Sequence, residues 1–350
     1  MRYTHGPLLV LAGAGSGKTR VIAHKIAHLV KSKQASPAVI AAITFTNKAA
    51  KEMLARVSAL VEFGKSRPWV STFHTLGLRI LKEEYAACGL RPRFTIFDAG
   101  DSKATLADIA RRELGSNVFD ILTLQQRISD WKSAMLGPAD LAQLTETDPI
   151  ARAAFRCYPE YVRALAAYNA VDFDDLIATP ARLLRSDPAL LAKWQAKIHC
   201  LLIDEYQDTN QAQYELIKLL SGQRGRLTAV GDDDQSIYAW RGARPENLAI
   251  LAQDFAALKI IKLEQNYRSM GIILKAANRL IAHNPHLFEK KLWSARGFGE
   301  PIRVVAATDE VSEAETVANE IQHARIVHGS ALKDFAILFR SNHQARAFEA

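Results

Sequence analysis

Residues 8–20 form the segment that most restricts what this chain can fold into. The segment begins with a continuous apolar run at residues 8–11, which is typical of a buried parallel strand. Gly13, Gly15 and Gly17 follow, and after them come Lys18 and Thr19. Glycines let a backbone wrap a phosphate group closely because no Cβ blocks the approach, and the next helix adds its N-terminal dipole. The segment therefore predicts a phosphate-binding loop between a strand and a helix.

The residues of this loop suit a nucleoside triphosphate. Backbone amides would point at the phosphates, Lys18 would place a positive charge beside them, and Thr19 would offer a hydroxyl to Mg²⁺. A glycine-rich turn without a ligand is the alternative, but the Gly-Lys-Thr order before a helix favours nucleotide binding. Position 12 holds an alanine where the commonest form of the pattern has a glycine. The predicted nucleotide-binding residues are Ala12, Gly13, Ala14, Gly15, Ser16, Gly17, Lys18, Thr19 and Arg20.

A second apolar strand pattern, at residues 200–203, ends in two acids. Asp204 and Glu205 follow it directly. Ligands of doubly wound sheets bind outside the carboxyl ends of the strands, where the glycine-rich loop is also expected. Asp204 is predicted to hold Mg²⁺, and Glu205 to orient and deprotonate an attacking water. The alternative is a helix cap followed by a surface acid.

Strand and helix patterns alternate along the chain, which predicts an α/β fold with helices on both faces of a parallel sheet. Further strands are expected at residues 39–45, 69–73, 227–230 and 258–263. Between about Leu76 and Lys197 the periodicity is helical and no convincing strand is present, which indicates an inserted helical subdomain. The predicted domains are therefore a discontinuous first domain at 1–75 and 190–265 and an insertion at 76–189.

Residues 266–350 read as the first part of a second α/β domain. Helices are expected at 272–283 and 310–327, and strands at 302–306 and 335–339.

The bulk composition favours a polyanionic partner. Lysine and arginine number 45 against 37 aspartates and glutamates, a formal net charge of +8, and the isoelectric point is near 9.3. Nucleic acid is the commonest partner of such a balance. No apolar run approaches the length of a membrane span, and the scattered Cys88, Cys157 and Cys200 indicate neither a disulfide framework nor a zinc site. A reducing cytoplasm is the expected compartment.

Several short segments, taken together, resemble the UvrD/Rep family of superfamily-one DNA helicases. In chain order they are residues 12–20, 44–50, 71–74, 204–209, 231–243 and 265–269. The resemblance covers essentially the whole chain. It implies a RecA-like P-loop NTPase sheet with a helical insertion, part of a second RecA-like domain, and ATP and Mg²⁺ as cofactors. It also implies a 3′ to 5′ helicase of replication or repair that acts on single-stranded DNA and duplex junctions, is associated with the nucleoid, and is compatible with a homodimer on DNA.

The resemblance assigns roles to residues outside the glycine-rich loop. Gln235 would contact the γ-phosphate, Arg268 would pair with it, and Tyr267 would stack on the base. A polar turn residue is the simpler interpretation of Gln235, and a core aromatic that of Tyr267. The resemblance also places the following residues along the DNA path: Phe45, Asn47, His74, Tyr238, Trp240 and Arg241.

Residues 171–176 resemble a further family segment in which Phe173 contacts DNA. The alternative is a helix capped by Asp172 with Phe173 in the core.

The chain departs from the family pattern at two places. Family members carry a glutamine-containing segment before the phosphate loop, whereas the eleven residues that precede Ala12 include no glutamine. The later family motifs, one of which supplies a second arginine to the γ-phosphate, are also missing. We therefore expect a 350-residue N-terminal part of a helicase that binds nucleotide and DNA without appreciable turnover. A P-loop ATPase that acts on protein partners is the other open class, and it leaves Phe45 and Trp240 unexplained.

Overall fold

The computed structural model describes residues 2–64, 66–115, 119–141, 148–222, 225–239 and 242–349. The chain divides into two compact units, Met1–Phe298 and Gly299–Ala350. Among the described residues, no helix combines the length and apolarity that a bilayer crossing requires.

The first unit is built on a parallel sheet. Its strands, in chain order, are β1 (Leu8–Ala12), β2 (Ile40–Thr44), β3 (Trp69–Thr72), β4 (Thr95–Ile96), β5 (Ala170–Val171), β6 (Cys200–Ile203), β7 (Leu227–Gly231) and β8 (Lys259–Leu263). Six of them form one sheet in the spatial order β3-β2-β6-β7-β1-β8, and every neighbouring pair is parallel. The predicted α/β fold with a parallel sheet is confirmed.

Helices connect the strands. They are α1 (Lys18–Lys31), α2 (Asn47–Leu60), α3 (Phe73–Glu83), α4 (Ala99–Leu114), α5 (Ile121–Ser133), α6 (Pro138–Leu141), α7 (Pro149–Ala167), α8 (Asp175–Ser186), α9 (Pro188–Lys197), α10 (Gln211–Ser221), α11 (Asn247–Asp254) and α12 (Gly271–Ile281).

Helices cover both faces of the central strands, and successive residues of each strand point to opposite faces. On β1, Leu9 and Leu11 pack with residues of α3, α8, α9 and α10. Leu8 and Val10 pack on the other face with residues of α1 and α2. Because the strands are parallel, the loops that follow β1, β6 and β7 all begin at the same edge of the sheet.

The segment between β3 and β6 contains a separate hydrophobic core, to which α4, α5 and α7 contribute. Trp131 stacks on Tyr158 inside it, with ring centroids 6.0 Å apart. The expectation of no strand in this segment was wrong at one place, because β4 and β5 pair in parallel, with Thr95 opposite Ala170. Strands of two residues are too short to show an alternating pattern in the sequence.

The second unit contains α13 (Glu310–His328) and the short α14 (Arg346–Glu349). The predicted helix at 310–327 is confirmed. The predicted strands at 302–306 and 335–339 are wrong, because no described residue of this unit is in a strand. A strand requires a hydrogen-bonded neighbour, and here the side chains of Val304 and Leu338 are each 93% exposed.

Candidate nucleotide site and aromatic cleft

The glycine loop, residues 13–17, connects β1 to α1. Gly15 and Gly17 have φ angles of 69° and 94°, in the left-handed region that favours glycine. A Cβ on Gly15 would lie 2.5 Å from Asn266 Nδ2, so the backbone packs too closely there for a side chain. The Ser16 hydroxyl donates a 2.6 Å hydrogen bond to the Gly13 carbonyl. The loop is thus a tight turn that leads into a helix N-terminus, as the sequence pattern predicts.

Lys18, the first residue of α1, contacts groups from two other loops. Its Nζ lies 2.8 Å from Glu205 Oε2 and donates a 2.8 Å hydrogen bond to Gln235 Oε1. Glu205 follows β6 and Gln235 follows β7 by four residues. The structure therefore brings together two residues predicted to contact the phosphates and the residue predicted to activate the attacking water.

Asp204 and Glu205 differ in their surroundings. Asp204 is buried, and this burial, together with the charge of Glu205, raises the pKa of its carboxyl to about 6. Glu205 is only partly buried, and its φ of 49° lies in the left-handed region. Such a backbone costs a residue other than glycine on the order of 1–3 kcal/mol and recurs at functional sites.

The donor set at this edge fits a magnesium ion. Mg²⁺ is usually held by one or two carboxylates together with water and substrate phosphates. Thr19, the second residue of α1, has a hydroxyl oxygen to offer, and Asp204 a carboxylate. Asp208 adds a carboxylate whose buried Oδ1 has no hydrogen-bond partner among the described residues. Burial and the charge of Glu205 raise the pKa of Asp208 to about 6.

Gln207 is a site residue that the sequence reasoning missed. Its Nε2 donates a 2.9 Å hydrogen bond to Glu205 Oε2, and its Oε1 accepts a 2.9 Å hydrogen bond from the backbone of Asp232. The side chain is buried, so it holds the ends of β6 and β7 together. In the sequence, the feature that could have indicated this role is its position two residues after Glu205, within a segment already assigned to the site.

The glycine-loop cleft, with a volume of about 380 Å³, lies beside these residues. It is lined by Ala14, Gly15, Gly17, Lys18, Thr19, Arg20, Arg56, Glu205, Gln235, Tyr267 and Arg268. Ala12, Gly13, Ser16 and Asp204 do not line it. Arg56, on α2, was not predicted to line this cleft. The sequence pattern places it off the apolar face of the helix, where most charged residues simply face solvent.

Tyr267 and Arg268 are positioned by Asn266, another residue that was not predicted. The buried Asn266 side chain donates a 2.6 Å hydrogen bond to the Ala14 carbonyl and accepts one of 2.8 Å from the Arg268 amide. The Tyr267 amide donates a 3.0 Å hydrogen bond to Gly15. The side chain of Tyr267 is 57% exposed, so the alternative of a core aromatic is not supported.

The aromatic cleft, with a volume of about 430 Å³, brings together three of the residues predicted along the DNA path. Phe45, His74 and Tyr238 line it from the sheet domain, and Gln126 and Asp174 line it from the helical insertion. Burial lowers the pKa of His74, which favours its neutral imidazole.

Acidic side chains also line the aromatic cleft. They are Asp130, Asp174 and Asp208, and the described lining includes no lysine or arginine. The cleft therefore suits the faces and edges of bases better than phosphate groups.

Phe173 lies beside this cleft and is 51% exposed. Its ring makes an edge contact with His74, with centroids 6.0 Å apart. A core position for Phe173 is therefore not supported. Asp172 does bond the start of α8, since its Oδ1 accepts a 3.0 Å hydrogen bond from the Asp175 amide.

A buried ion cluster holds the turn that carries Phe173. Lys132 Nζ lies 2.7 Å from Asp172 Oδ2 and 2.8 Å from Asp175 Oδ2, and Tyr161 donates a 3.1 Å hydrogen bond to Asp172. Burial and the neighbouring charge of Asp172 raise the pKa of Asp174 to about 7.

Of the remaining residues predicted along the DNA path, Asn47 does not line the aromatic cleft. Asn47 is the first residue of α2 and is exposed. Trp240 and Arg241 lie outside the described residues.

Two family models match the chain. The UvrD/REP helicase N-terminal domain matches residues 1–256, and the UvrD-like helicase C-terminal domain matches residues 261–350. The chain belongs to the UvrD/REP helicase family. The six-stranded parallel sheet and its helices are consistent with the RecA-like fold expected of this family.

Curated relatives agree with the family assignment. The chain is 51% identical over 352 residues to ATP-dependent DNA helicase Rep of Escherichia coli K12, an alignment that covers 100% of this chain and 52% of the relative. It is 44% identical over 351 residues to ATP-dependent DNA helicase PcrA of Staphylococcus aureus, with 100% and 48% covered. The chain thus spans about half the length of these relatives.

Proposed function

We propose that the whole protein is an ATP-dependent DNA helicase that translocates along single-stranded DNA from 3′ to 5′ and separates strands at duplex junctions. One observation carries this proposal: Gln235 lines the glycine-loop cleft, and Tyr238, three positions later, lines the aromatic cleft. A shift of this short segment on nucleotide binding would reach both clefts. Family membership and the activity named for the relatives support the proposal.

On the nucleotide side, Lys18 binds the β- and γ-phosphates and exchanges its contacts with Glu205 and Gln235 for them. Glu205, released from Lys18, orients and deprotonates the attacking water. Gln235 bonds the γ-phosphate region and the same water, because an amide both donates and accepts. A magnesium ion held by Thr19 and Asp204 would neutralise charge on the phosphates.

Two further side chains complete the proposed nucleotide site. Arg268 presents its planar guanidinium group to the γ-phosphate, a geometry that lysine does not offer. Tyr267 stacks on the base, which fits its exposed position at the cleft.

On the DNA side, Phe45, Phe173 and Tyr238 stack on bases, with His74 beside them. Stacking is tolerant of sequence because every base has a π face. This property suits a motor that moves along any strand. Trp240 and Arg241 belong to the same proposed path by their place in the family motif.

We infer the domain boundaries as 1–75 and 190–265 for the first RecA-like domain, 76–189 for the insertion and 266–350 for part of the second. The separate core of α4, α5 and α7 supports the insertion. The break between the two family models, at residues 256 and 261, supports a boundary near Gln265.

A role in replication or repair, association with the nucleoid and a homodimer on DNA belong to the same proposal. They rest on family membership.

The test is ATP turnover of the intact protein, measured without DNA and with single-stranded or duplex DNA. Strand separation is measured in parallel on duplexes with a 3′ or a 5′ single-stranded tail. The proposal expects stimulation by single-stranded DNA and a preference for the 3′ tail. Turnover indifferent to DNA would instead favour a P-loop ATPase that acts on protein partners.

A further inference from the structure

The three consecutive acids that follow β7 converge on one lysine. Lys290 Nζ lies 2.5 Å from Asp232 Oδ1 and 3.2 Å from Asp234 Oδ2, and it also bonds Asp233 Oδ1. The side chains of Lys290, Asp232 and Asp233 are buried. Their charges are therefore poorly screened by water, and the contacts are strong.

The backbone around Lys290 joins the same cluster. The amides of Leu287 and Phe288 donate hydrogen bonds of 3.1 and 3.2 Å to Asp233 Oδ2, and His286 Nδ1 lies 2.9 Å from Asp234 Oδ1.

The geometry favours an ion cluster over a metal site. Ligand oxygens of the three acids lie within 4.8 Å of one another, as they would around a cation. The ammonium group of Lys290 already contacts all three acids. A metal ion would have to displace a buried lysine that compensates their charge.

The contacts continue from this cluster to Lys18 of the glycine loop. Asp232 binds Lys290 through Oδ1, and its Oδ2 accepts a hydrogen bond from Gln235 Nε2. Gln235 Oε1 then accepts the 2.8 Å hydrogen bond from Lys18. Two side chains, Asp232 and Gln235, thus separate Lys290 from the lysine predicted to bind the phosphates.

A carboxylate only accepts hydrogen bonds, so Asp232 determines which end of the Gln235 amide faces it. The NH₂ group of Gln235 must point at Asp232, and its Oε1 is left facing the glycine-loop cleft. There it can accept a hydrogen bond from an attacking water. Lys290 holds Asp232 in the orientation that makes this possible.

We propose that Lys290 is a positioning residue for ATP hydrolysis, which acts through Asp232 to orient the amide of Gln235. This inference rests on the proposed function, because it assumes that the intact protein hydrolyses ATP. Lys290 itself does not line the glycine-loop cleft. Its loss should therefore lower kcat and leave the KM for ATP nearly unchanged.

The test compares the intact wild-type protein with its Lys290→Met variant in single-stranded-DNA-stimulated ATP turnover. We expect kcat to fall by roughly 10- to 100-fold, the scale of a misplaced catalytic group. Lys290→Arg, which keeps the charge, should recover most of the loss. Lys291→Met removes the neighbouring exposed lysine and should leave kcat unchanged.

Two further variants distinguish a positioning role of Lys290 from an effect of its loss on the stability of the fold. Lys290→Met combined with Asp233→Asn restores the charge balance of the cluster, and the asparagine oxygen can still accept from Leu287 and Phe288. We expect this protein to melt close to the wild type and yet to keep the low kcat. In a Gln235→Ala background, Lys290→Met should have almost no additional effect, because its target is absent.

Recovery of kcat in the charge-balanced double variant, or a full additional loss in the Gln235→Ala background, would overturn the inference and leave the proposed function intact. Absence of DNA-stimulated turnover in the wild-type protein would overturn the proposed function and this inference with it.

Discussion

The two clefts of the sheet domain carry opposite charges. Cationic side chains dominate the glycine-loop cleft, where Lys18 is joined by Arg20, Arg56 and Arg268. The aromatic cleft has three aspartates and no described cationic lining residue. We therefore expect phosphates in the first cleft and base faces in the second, although Gln235 and Tyr238 are only three positions apart.

The two clefts are also held together differently. Around the glycine loop, a closed set of hydrogen bonds and one ion pair joins Lys18, Glu205, Gln207, Asp232 and Gln235. Asp232 takes part through its backbone amide, which donates to Gln207, and through its carboxylate, which accepts from Gln235. The aromatic cleft joins side chains of the sheet domain to side chains of the insertion. Single substitutions in the glycine-loop cleft should therefore change ATP hydrolysis. Single substitutions in the aromatic cleft should change base stacking and the contact with the insertion.

The largest effect on the glycine-loop cleft is expected from Glu205→Gln. The amide keeps the shape of the side chain but accepts no proton, so we expect ATP turnover to fall by about 10²–10⁴-fold, the usual contribution of a general base. Nucleotide affinity should change little. Single-turnover hydrolysis and a nucleotide-binding titration of the intact protein measure the two effects. Glu246→Gln, at an exposed residue outside both clefts, is the control, and surviving turnover in Glu205→Gln would remove Glu205 from the role of base.

Lys18→Ala removes the charge at the centre of the glycine-loop cleft. We expect kcat/KM for ATP to fall by at least ~10²-fold, the scale of one lost electrostatic contact in the transition state. Binding of single-stranded DNA in the absence of nucleotide should persist, because Lys18 does not line the aromatic cleft. Lys31→Ala, at the exposed opposite end of α1, is the matched control. Unchanged ATP turnover would contradict the assignment of the loop.

Phe173→Ala tests the aromatic side. One base stack contributes about 1–3 kcal/mol, so single-stranded DNA affinity should weaken by that amount. ATP binding and the melting temperature should remain close to wild type, because the ring is half exposed. Fluorescence anisotropy with an oligonucleotide measures the change. Tyr168→Ala, which removes a 65% exposed aromatic elsewhere in the insertion, should have no effect on DNA binding.

The smallest expected effect concerns Asp174 and pH. Its pKa of about 7 in the folded chain lies above the value of about 3.9 for an unfolded aspartate, so the folded state holds the proton more tightly. Its contribution to the free energy of unfolding is therefore fully present below about pH 4 and is lost as the pH rises through about 7.

Asp174→Asn removes this dependence. The variant should be more stable than the wild type at pH 8 by on the order of 1 kcal/mol, since one pKa unit corresponds to about 1.4 kcal/mol. The advantage should shrink at pH 5. Urea unfolding at the two pH values measures it, with Asp130→Asn in the same cleft as the control. An equal gain at both pH values would show that the effect is not titration.

Local patterns were enough to predict much of the nucleotide side. Apolar runs predicted β1, β6 and β7, and the glycine spacing predicted the turn before Lys18. Parallel strands then place their carboxyl ends at one edge whatever their spatial order, which is why Lys18, Glu205 and Gln235 meet. The predicted strands at 302–306 and 335–339 failed because a strand depends on a neighbour, and an apolar run does not reveal whether one is present.

The residues that the sequence did not reveal act through distant partners. Gln207 bonds Asp232 across 25 positions, Asn266 bonds Ala14 across 252, and Lys290 bonds Asp232 across 58. Lys132 similarly compensates two aspartates about forty positions away. A lone lysine or amide has no pattern that distinguishes such a role from an ordinary surface position.

The α/β class, the glycine loop and the acids after β6 could therefore be predicted from sequence, because each depends on residues close together in the chain. The burial of polar groups against them and the exposure of aromatic rings depend on the tertiary structure. The physical reason is that backbone conformation follows from local sterics and hydrogen bonding, whereas burial and charge compensation depend on which distant segments pack together.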